Sequence, residues 1–207
     1  NQIFTADFYS RGMFRMDSVP KKFMGVAIGD IGGSLDSTRS GIVYLSETKS
    51  KIFQNKKDFK EIVYASKVSG NDNGFSFNSA QDAEFDFYQN TLDFGTPIAS
   101  PIGNSAFTYY RFKLEESFYT PEKKLINKIK ITPKTETGPA FKGYIYIVED
   151  DWVFYGLDVV IEKQRMRLPG MDAMQIIQQY LFNATDNRWS LSNQVLDFEF
   201  SFFAFKG

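Results

Sequence analysis

Apolar and polar residues alternate along most of this chain. Near the start, Phe4, Ala6, Phe8, Ser10, Gly12, Phe14 and Met16 fall on one face, and Thr5, Asp7, Tyr9, Arg11, Met13 and Arg15 on the other. A period of two residues is the mark of an extended strand, so residues 3–18 are expected to form a long strand with one largely apolar face. A turn is expected at Val19-Pro20, and the glycine-rich stretch 29–41 reads as a long loop. Ile42-Val43-Tyr44-Leu45-Ser46 opens the next strand, which continues to about Gln54, and a third runs from Phe59 to Val68. Ser69-Gly70-Asn71-Asp72-Asn73-Gly74 is a dense turn signal. Residues 84–92 alternate Phe85 and Phe87 with acidic residues and fit a strand, with a helix from Ser79 as the alternative. A short helix is expected near 100–109.

The second half gives six successive strand patterns: Arg111–Tyr119, Lys124–Pro133, Phe141–Glu149, Val153–Glu162, Met174–Asn183 and Arg188–Phe205. Short turn-rich gaps separate them, so neighbours are expected to pair antiparallel as a meander. Several of these strands are apolar on both faces. Tyr144, Tyr146 and Val148 oppose Phe141, Ile145 and Ile147, while Tyr155, Leu157 and Val159 oppose Phe154 and Val160. Leu196, Phe198, Phe200 and Phe202 form a further stripe. A sheet with one solvated side would show a cleaner polar face. Two arrangements fit: a sheet curling round a filling element, or one packed face with an apolar groove on the other. The expected fold is mainly β, a curved antiparallel sheet or half-barrel with one or two short helices.

Composition narrows the function. Phe contributes 22 of the 207 residues and Tyr 11, a surplus of aromatics that suits strands. The length suits one large domain, with two small ones as the alternative. Basic residues number 24 and acidic residues 25, so no basic excess drives general nucleic-acid binding. No run of about 18 apolar residues is present to form a membrane-spanning helix. The chain opens directly into a strand pattern and closes in another, which is expected of a single domain cut from a larger chain.

There is no cysteine and no histidine. That removes thiol nucleophiles, disulfides, the usual zinc ligand and every Ser-His triad. Glu149-Asp150-Asp151 is the densest acidic cluster. A carboxylate-based hydrolase needs two carboxyls facing each other across a cleft, and adjacent turn residues rarely converge that way. Asn71-Asp72-Asn73-Gly74 lacks the ligand spacing of a calcium loop. Gly29-Asp30-Ile31-Gly32-Gly33 lacks the lysine and hydroxyl end of a phosphate-binding loop. Ser37-Thr38-Arg39-Ser40 has no base to activate a serine. These patterns point to no enzyme, no metal and no cofactor. The aromatic stripes remain, and they read either as core or as the wall of an apolar cavity. Tyr144, Tyr146, Val148, Tyr155, Leu157, Phe198 and Phe200 are the candidate lining residues.

Longer motifs carry a resemblance. Phe4-Thr5-Ala6-Asp7-Phe8-Tyr9-Ser10-Arg11-Gly12, the stretch Leu35–Thr48, Lys67–Phe75, Leu125–Lys134 and Gly143–Asp150 resemble a region of large Bacteroidota outer-membrane proteins of no assigned function. That family carries a carboxypeptidase-regulatory-like domain before this region, and an outer-membrane barrel is expected after it. The meander at Ile129–Lys134, Phe141–Glu149 and Val153–Ile161 is also similar to the periplasmic lipoprotein-carrier (LolA-like) fold, an incomplete barrel around an apolar cavity. The resemblance implies a periplasmic domain at the outer membrane. There it would bind a lipid, a lipoprotein acyl chain or another apolar partner, besides the barrel of its own chain. A structural module that scaffolds or plugs a barrel is the first alternative, and a carboxylate-based hydrolase the second.

Overall fold

The structure is a computed structural model that describes residues 3–23, 25–55, 58–70, 85–168, 171–184 and 187–200. The expected turn at 71–74, the helix alternative from Ser79 and the end of the last strand pattern lie outside them. Among the described residues the fold is mainly β with antiparallel sheets and one short α-helix, and no sheet closes into a barrel. The contacts divide the chain into two compact units, residues 1–84 and 85–207, where the sequence suggests one domain. The boundary falls between Glu84 and Phe85, C-terminal to the turn-rich stretch Ser69–Gly74.

In the first unit, β1 (Ile3–Met16), β4 (Gly41–Asn55) and β5 (Asp58–Gly70) form a three-stranded sheet with β4 in the middle. The strands follow the expected alternation. Tyr44, Ser46, Thr48 and Ser50 make a buried row on one face of β4, while Glu47, Lys49 and Lys51 are exposed on the other. The buried row is mostly hydroxyl-bearing. Thr48 Oγ1 lies 3.4 Å from Ser66 Oγ, and Ser50 donates to Glu61. Between β1 and β4 the chain makes a small hairpin, β2 (Lys22–Phe23) and β3 (Val26–Ala27).

The second unit holds the main core. Its six-stranded sheet has the order β13-β12-β11-β10-β9-β8, an uninterrupted meander. The strands are β8 (Tyr110–Tyr119), β9 (Leu125–Pro133), β10 (Lys142–Val148), β11 (Phe154–Glu162), β12 (Met171–Asn183) and β13 (Arg188–Phe200). One face packs under the preceding segment, which carries β6 (Thr91–Asp93), β7 (Pro97–Ala99) and the one-turn helix α1 (Ala106–Tyr109). Phe87, Phe94, Ile98, Phe141, Phe154, Leu157, Val159, Ile161 and Ile176 are buried there in one cluster. Burying a side chain of this size stabilises by about 1.5–3 kcal/mol before chain entropy is set against it.

Tyr110 ties this cover to the sheet. Its hydroxyl donates to the Ala99 carbonyl at 2.5 Å and accepts from the Phe141 amide at 3.0 Å. Ser100 Oγ donates to the Phe87 carbonyl, and Gln178 Nε2 to the Phe85 carbonyl. Tyr110, Ser100 and Gln178, all buried, are thus each paired, as a dry interior requires.

Two sequence expectations change. Of the alternation at 84–92, residues 85–90 form a turn and only Thr91 and Leu92 enter a strand, β6. Asp86 Oδ1 accepts from the Tyr88 amide and Asp86 Oδ2 from Gln89 Nε2, an aspartate turn that competes with the ladder. The helix expected over 100–109 shrinks to a single turn at Ala106–Tyr109.

Candidate functional site

Residues paired across a ladder share a face of the sheet. Ile145 pairs with Leu157 and Ile147 with Phe154, so Leu157 and Phe154 both join the packed face. The register slips between Tyr146 and Ile147, which leaves Tyr155 as the extra residue of a β-bulge. Strict alternation cannot see that slip, and it is why Tyr155 and Leu157 do not share a face as their spacing suggests.

The open face carries different residues. Tyr144 pairs with Lys130 and Asp158, Tyr146 with Lys128 and Gly156, and Lys142 with Val160. Between them lies a groove of about 350 Å³, lined by Lys130, Thr132, Lys142, Tyr144, Asp158 and Val160 over the backbone of Ile131 and Gly143. Its size is at the small end for a small-molecule site. Gly143 sits at φ +139°, and a Cβ there would come within 2.2 Å of the Asp158 carbonyl oxygen. Only glycine therefore keeps β10 and β11 this close beneath the groove. Gly156 does a related job, since a Cβ there would lie 2.9 Å from the Gln178 carbonyl oxygen and 3.9 Å from the Tyr146 ring.

The groove has an apolar floor and a rim of mixed charge, with Lys130 and Lys142 on one hand and Asp158 on the other. Lys128 Nζ sits 4.8 Å from the centre of the Tyr144 ring, a cation–π contact that fixes the ring. Lys142 is bonded to Glu162, and this bond holds the Glu162 carboxyl below its usual range. Asp158 Oδ1 accepts from Gln175 Nε2 at 2.6 Å. Lys130 has no acidic partner among the described residues. It also stands directly across from Lys113, whose ammonium is 3.5 Å from Glu115. Glu115 offsets the Lys113 charge, which relieves the like-charge pairing across the ladder and leaves Lys130 as the unpaired member. Arg111, two residues along β8, adds a third cation to that edge.

The seven residues expected to line one cavity do not converge. Tyr144 lines the open groove and Tyr146 is its neighbour on the same face. Leu157 is fully buried in the packed core, and Phe198 packs against that core from β13. Val148 is also fully buried, but outside the main cluster, paired with the equally buried Ile126. Tyr155 packs on Phe118 and Trp189, with ring centroids 6.2 and 6.1 Å apart. Phe200 pairs in backbone with Met171, and its side chain lies outside the described residues. Reading aromatic stripes alone missed Lys128, Lys130 and Lys142. The usable signal was lysine at every second position of Lys128-Ile129-Lys130, facing Tyr144 across the ladder.

The acidic candidates are occupied structurally. Glu149 accepts from Asn127 Nδ2, and Asp151 accepts from Lys124 Nζ at 2.9 Å and Trp189 Nε1 at 3.1 Å. Those bonds hold the Asp151 carboxyl below its usual range. Asp36 Oδ1 likewise accepts from the Thr38 amide and hydroxyl and the Ser40 amide. Among the described residues no group of three metal-ligating side chains is close enough to hold a metal ion, and no helix is long and apolar enough to cross a membrane.

The chain belongs to a family of unknown function, DUF5686, whose family model matches residues 1–207. No curated protein and no solved structure is significantly similar to it.

Proposed function

We propose that this chain is a non-catalytic binding domain that takes an anionic amphiphile, a lipid or the acyl-bearing end of a lipoprotein, on the open face of its six-stranded sheet. The observation that carries this reading is the groove itself. Tyr144 and Val160 offer an apolar floor, and at the rim Lys130 offers a cation with no acidic partner among the described residues, while Lys142 is shared with Glu162 and Asp158 is occupied by Gln175. An acyl chain gains by covering the floor, roughly 0.8 kcal/mol per buried methylene, and its anionic end meets the lysines. The motif resemblance to outer-membrane proteins motivates a location on the periplasmic side of the outer membrane, and a role in envelope transport or assembly.

The test is direct titration with a short-chain alkyl phosphate, followed by tyrosine and lysine NMR signals. Binding that weakens tenfold or more in Tyr144→Ala and in Lys130→Glu supports the reading. Equal affinity in all three proteins refutes it.

A second reading rests on a separate feature. β5 is an edge strand that exposes Ile62, Val63, Tyr64 and Val68. A long edge with exposed apolar residues can pair with a strand of another chain, which would make the N-terminal sheet a scaffold contact.

A further inference from the structure

Among the described residues the six-stranded sheet ends in β8 on one side and β13 on the other, and the two edges are built differently. β8 carries Arg111, Lys113, Glu115 and Glu116, and its register slips between Leu114 and Glu116, which makes Glu115 the extra residue of a bulge. Charges and bulges are how an edge strand avoids pairing with another chain. β13 has the opposite pattern. Its middle, Ser190-Leu191-Ser192-Asn193-Gln194-Val195-Leu196, carries no charge, and Leu191 and Val195 are 44% and 46% exposed. Its charges lie towards the ends, Arg188 at the start and Asp197 and Glu199 near the finish. None of these three makes an ion pair among the described residues.

The ladder with β12 fixes the faces of β13. Phe198, Leu196 and Gln194 stand across from the buried Met174, Ile176 and Gln178 on the packed face. Glu199, Asp197, Val195 and Asn193 therefore lie on the open face. The register then slips between Gln179 and Tyr180, which makes Ser192 the extra residue of a bulge. Beyond it Leu191, across from buried Tyr180, returns to the packed face with Trp189, while Ser190 and Arg188 lie on the open one. With Ser192 left out of the count, β13 reads alike in both directions from Gln194. Leu191 and Leu196 are equally far from it, as are Trp189 and Phe198, and the members of each pair share the packed face. Arg188 and Glu199 are also equally far from it, and both lie on the open face.

We propose that β13 pairs antiparallel with β13 of a second copy of this chain, about a two-fold axis at Gln194, and so joins two six-stranded sheets edge to edge. A two-fold contact has to be self-complementary, and this register is. Arg188 of each copy meets Glu199 of the other, twice per dimer. Leu191 meets Leu196 and Trp189 meets Phe198 on the packed face, while Ser190 meets Asp197 on the open one. In a strand the side-chain face and the direction of the backbone N–H and C=O groups both alternate with period two. A register that matches faces therefore also sets outward backbone groups against outward backbone groups. A slip of one position would turn the apolar face of one copy against the polar face of the other. A slip that moves the axis to Asn193 would leave Glu199 unmatched and set Leu191 against Gln194. Opposite charges at the two ends of one strand, on one face and at equal distances from its middle, are what a second copy supplies partners for.

The experiment is sedimentation equilibrium of the full chain, with cross-linking as the check on register. The wild type should form a dimer that reverses on dilution. Glu199→Lys sets like charges against each other at both ends of the contact and should weaken dimerisation about tenfold, since each of two exposed pairs is worth a few-fold. Exchanging the charges, Arg188→Glu with Glu199→Arg, should restore it. The chain has no cysteine, so Gln194→Cys introduces a single thiol. On the two-fold axis that residue faces its own copy at a Cα separation of about 4.5–5.5 Å, within disulfide reach, and mild oxidation should give a covalent dimer. Glu199→Cys sets its two thiols roughly 33 Å apart and should not cross-link. A chain that stays monomeric overturns the proposal, as does a dimer that Glu199→Lys leaves unweakened or the charge exchange fails to restore. Equal cross-linking through both cysteines overturns it too, and if Gln194→Cys does not fold, the charge variants decide alone. A dimer lost in Val63→Lys but kept in Glu199→Lys would assign self-association to β5, which also overturns it.

Discussion

The two faces of the six-stranded sheet are built from the same strands and do opposite things. The packed face is aliphatic and aromatic, and its few polar groups are all engaged: Tyr110 with Ala99 and Phe141, and Gln178 with Phe85. The open face alternates lysines and tyrosines over a groove, and one of its lysines, Lys130, has no acidic partner among the described residues. Interior faces tolerate no unmatched charge. On the open face Lys130 is exposed and solvated, and this is the face to which the proposed ligand is assigned. The lesson is that two-sided apolarity in a strand need not mean two-sided burial.

Breaking the packed face should have the largest effect on stability. Phe141→Ala removes a fully buried ring and should cost about 3–5 kcal/mol, read as a shift in denaturant midpoint. Gly143→Val should unfold the protein to a similar degree, because the branched side chain meets the Asp158 carbonyl. If either variant were neutral, the packed face would not be the seat of stability.

Tyr110→Phe is a milder test of the same face. It strands the Ala99 carbonyl and the Phe141 amide and should cost about 1–3 kcal/mol. The phenol also sets a pH dependence. Burial pushes the Tyr110 and Tyr180 hydroxyls above their ordinary range. A raised acid favours the folded state fully below its ordinary value near 10, and that contribution is lost as the pH rises above it. Alkaline unfolding should therefore begin above about pH 10 and be less steep in Tyr110→Phe.

On the open face the ranking should invert. Tyr144→Ala should change stability by less than about 1 kcal/mol, since it loses half-exposed surface and one cation–π contact. Its effect belongs in ligand affinity. Lys142→Ala should be smaller still in stability, under about 1 kcal/mol, and should vanish at high salt. Glu162, held below its usual range by Lys142, contributes above about pH 4 and loses that contribution as the pH falls through its depressed value. An acid melt of Lys142→Ala should therefore lie closer to its neutral melt than the wild type's does.

Much of the fold was legible in the residues. The six strands of the second half follow from alternation and from turn residues such as Thr120-Pro121 and Asp150-Asp151. The long strands β1, β4 and β5 follow equally from period two. What failed was local and physical. Asp86 captured backbone amides and stopped a strand that Phe85 and Phe87 seemed to promise. The bulge at Tyr155 took that ring off the face that carries Leu157, Val159 and Ile161. The site was half legible. Tyr144 and Tyr146 lie on the open face, but Leu157, Val148 and Phe198 are packing residues. The lysines escaped notice because charges on strands are usually solvated and silent. Their meaning came from register, which set Lys130 against Lys113 and Tyr144.

The central claim is that the open face is a recognition surface for an anionic amphiphile. The most direct measurement is the affinity of an alkyl phosphate for the full chain, compared with Tyr144→Ala at matched folding. The account predicts saturable binding that is lost at least tenfold in the variant, with both melting curves superimposed. Undiminished binding in Tyr144→Ala, or none in the wild type, would contradict it.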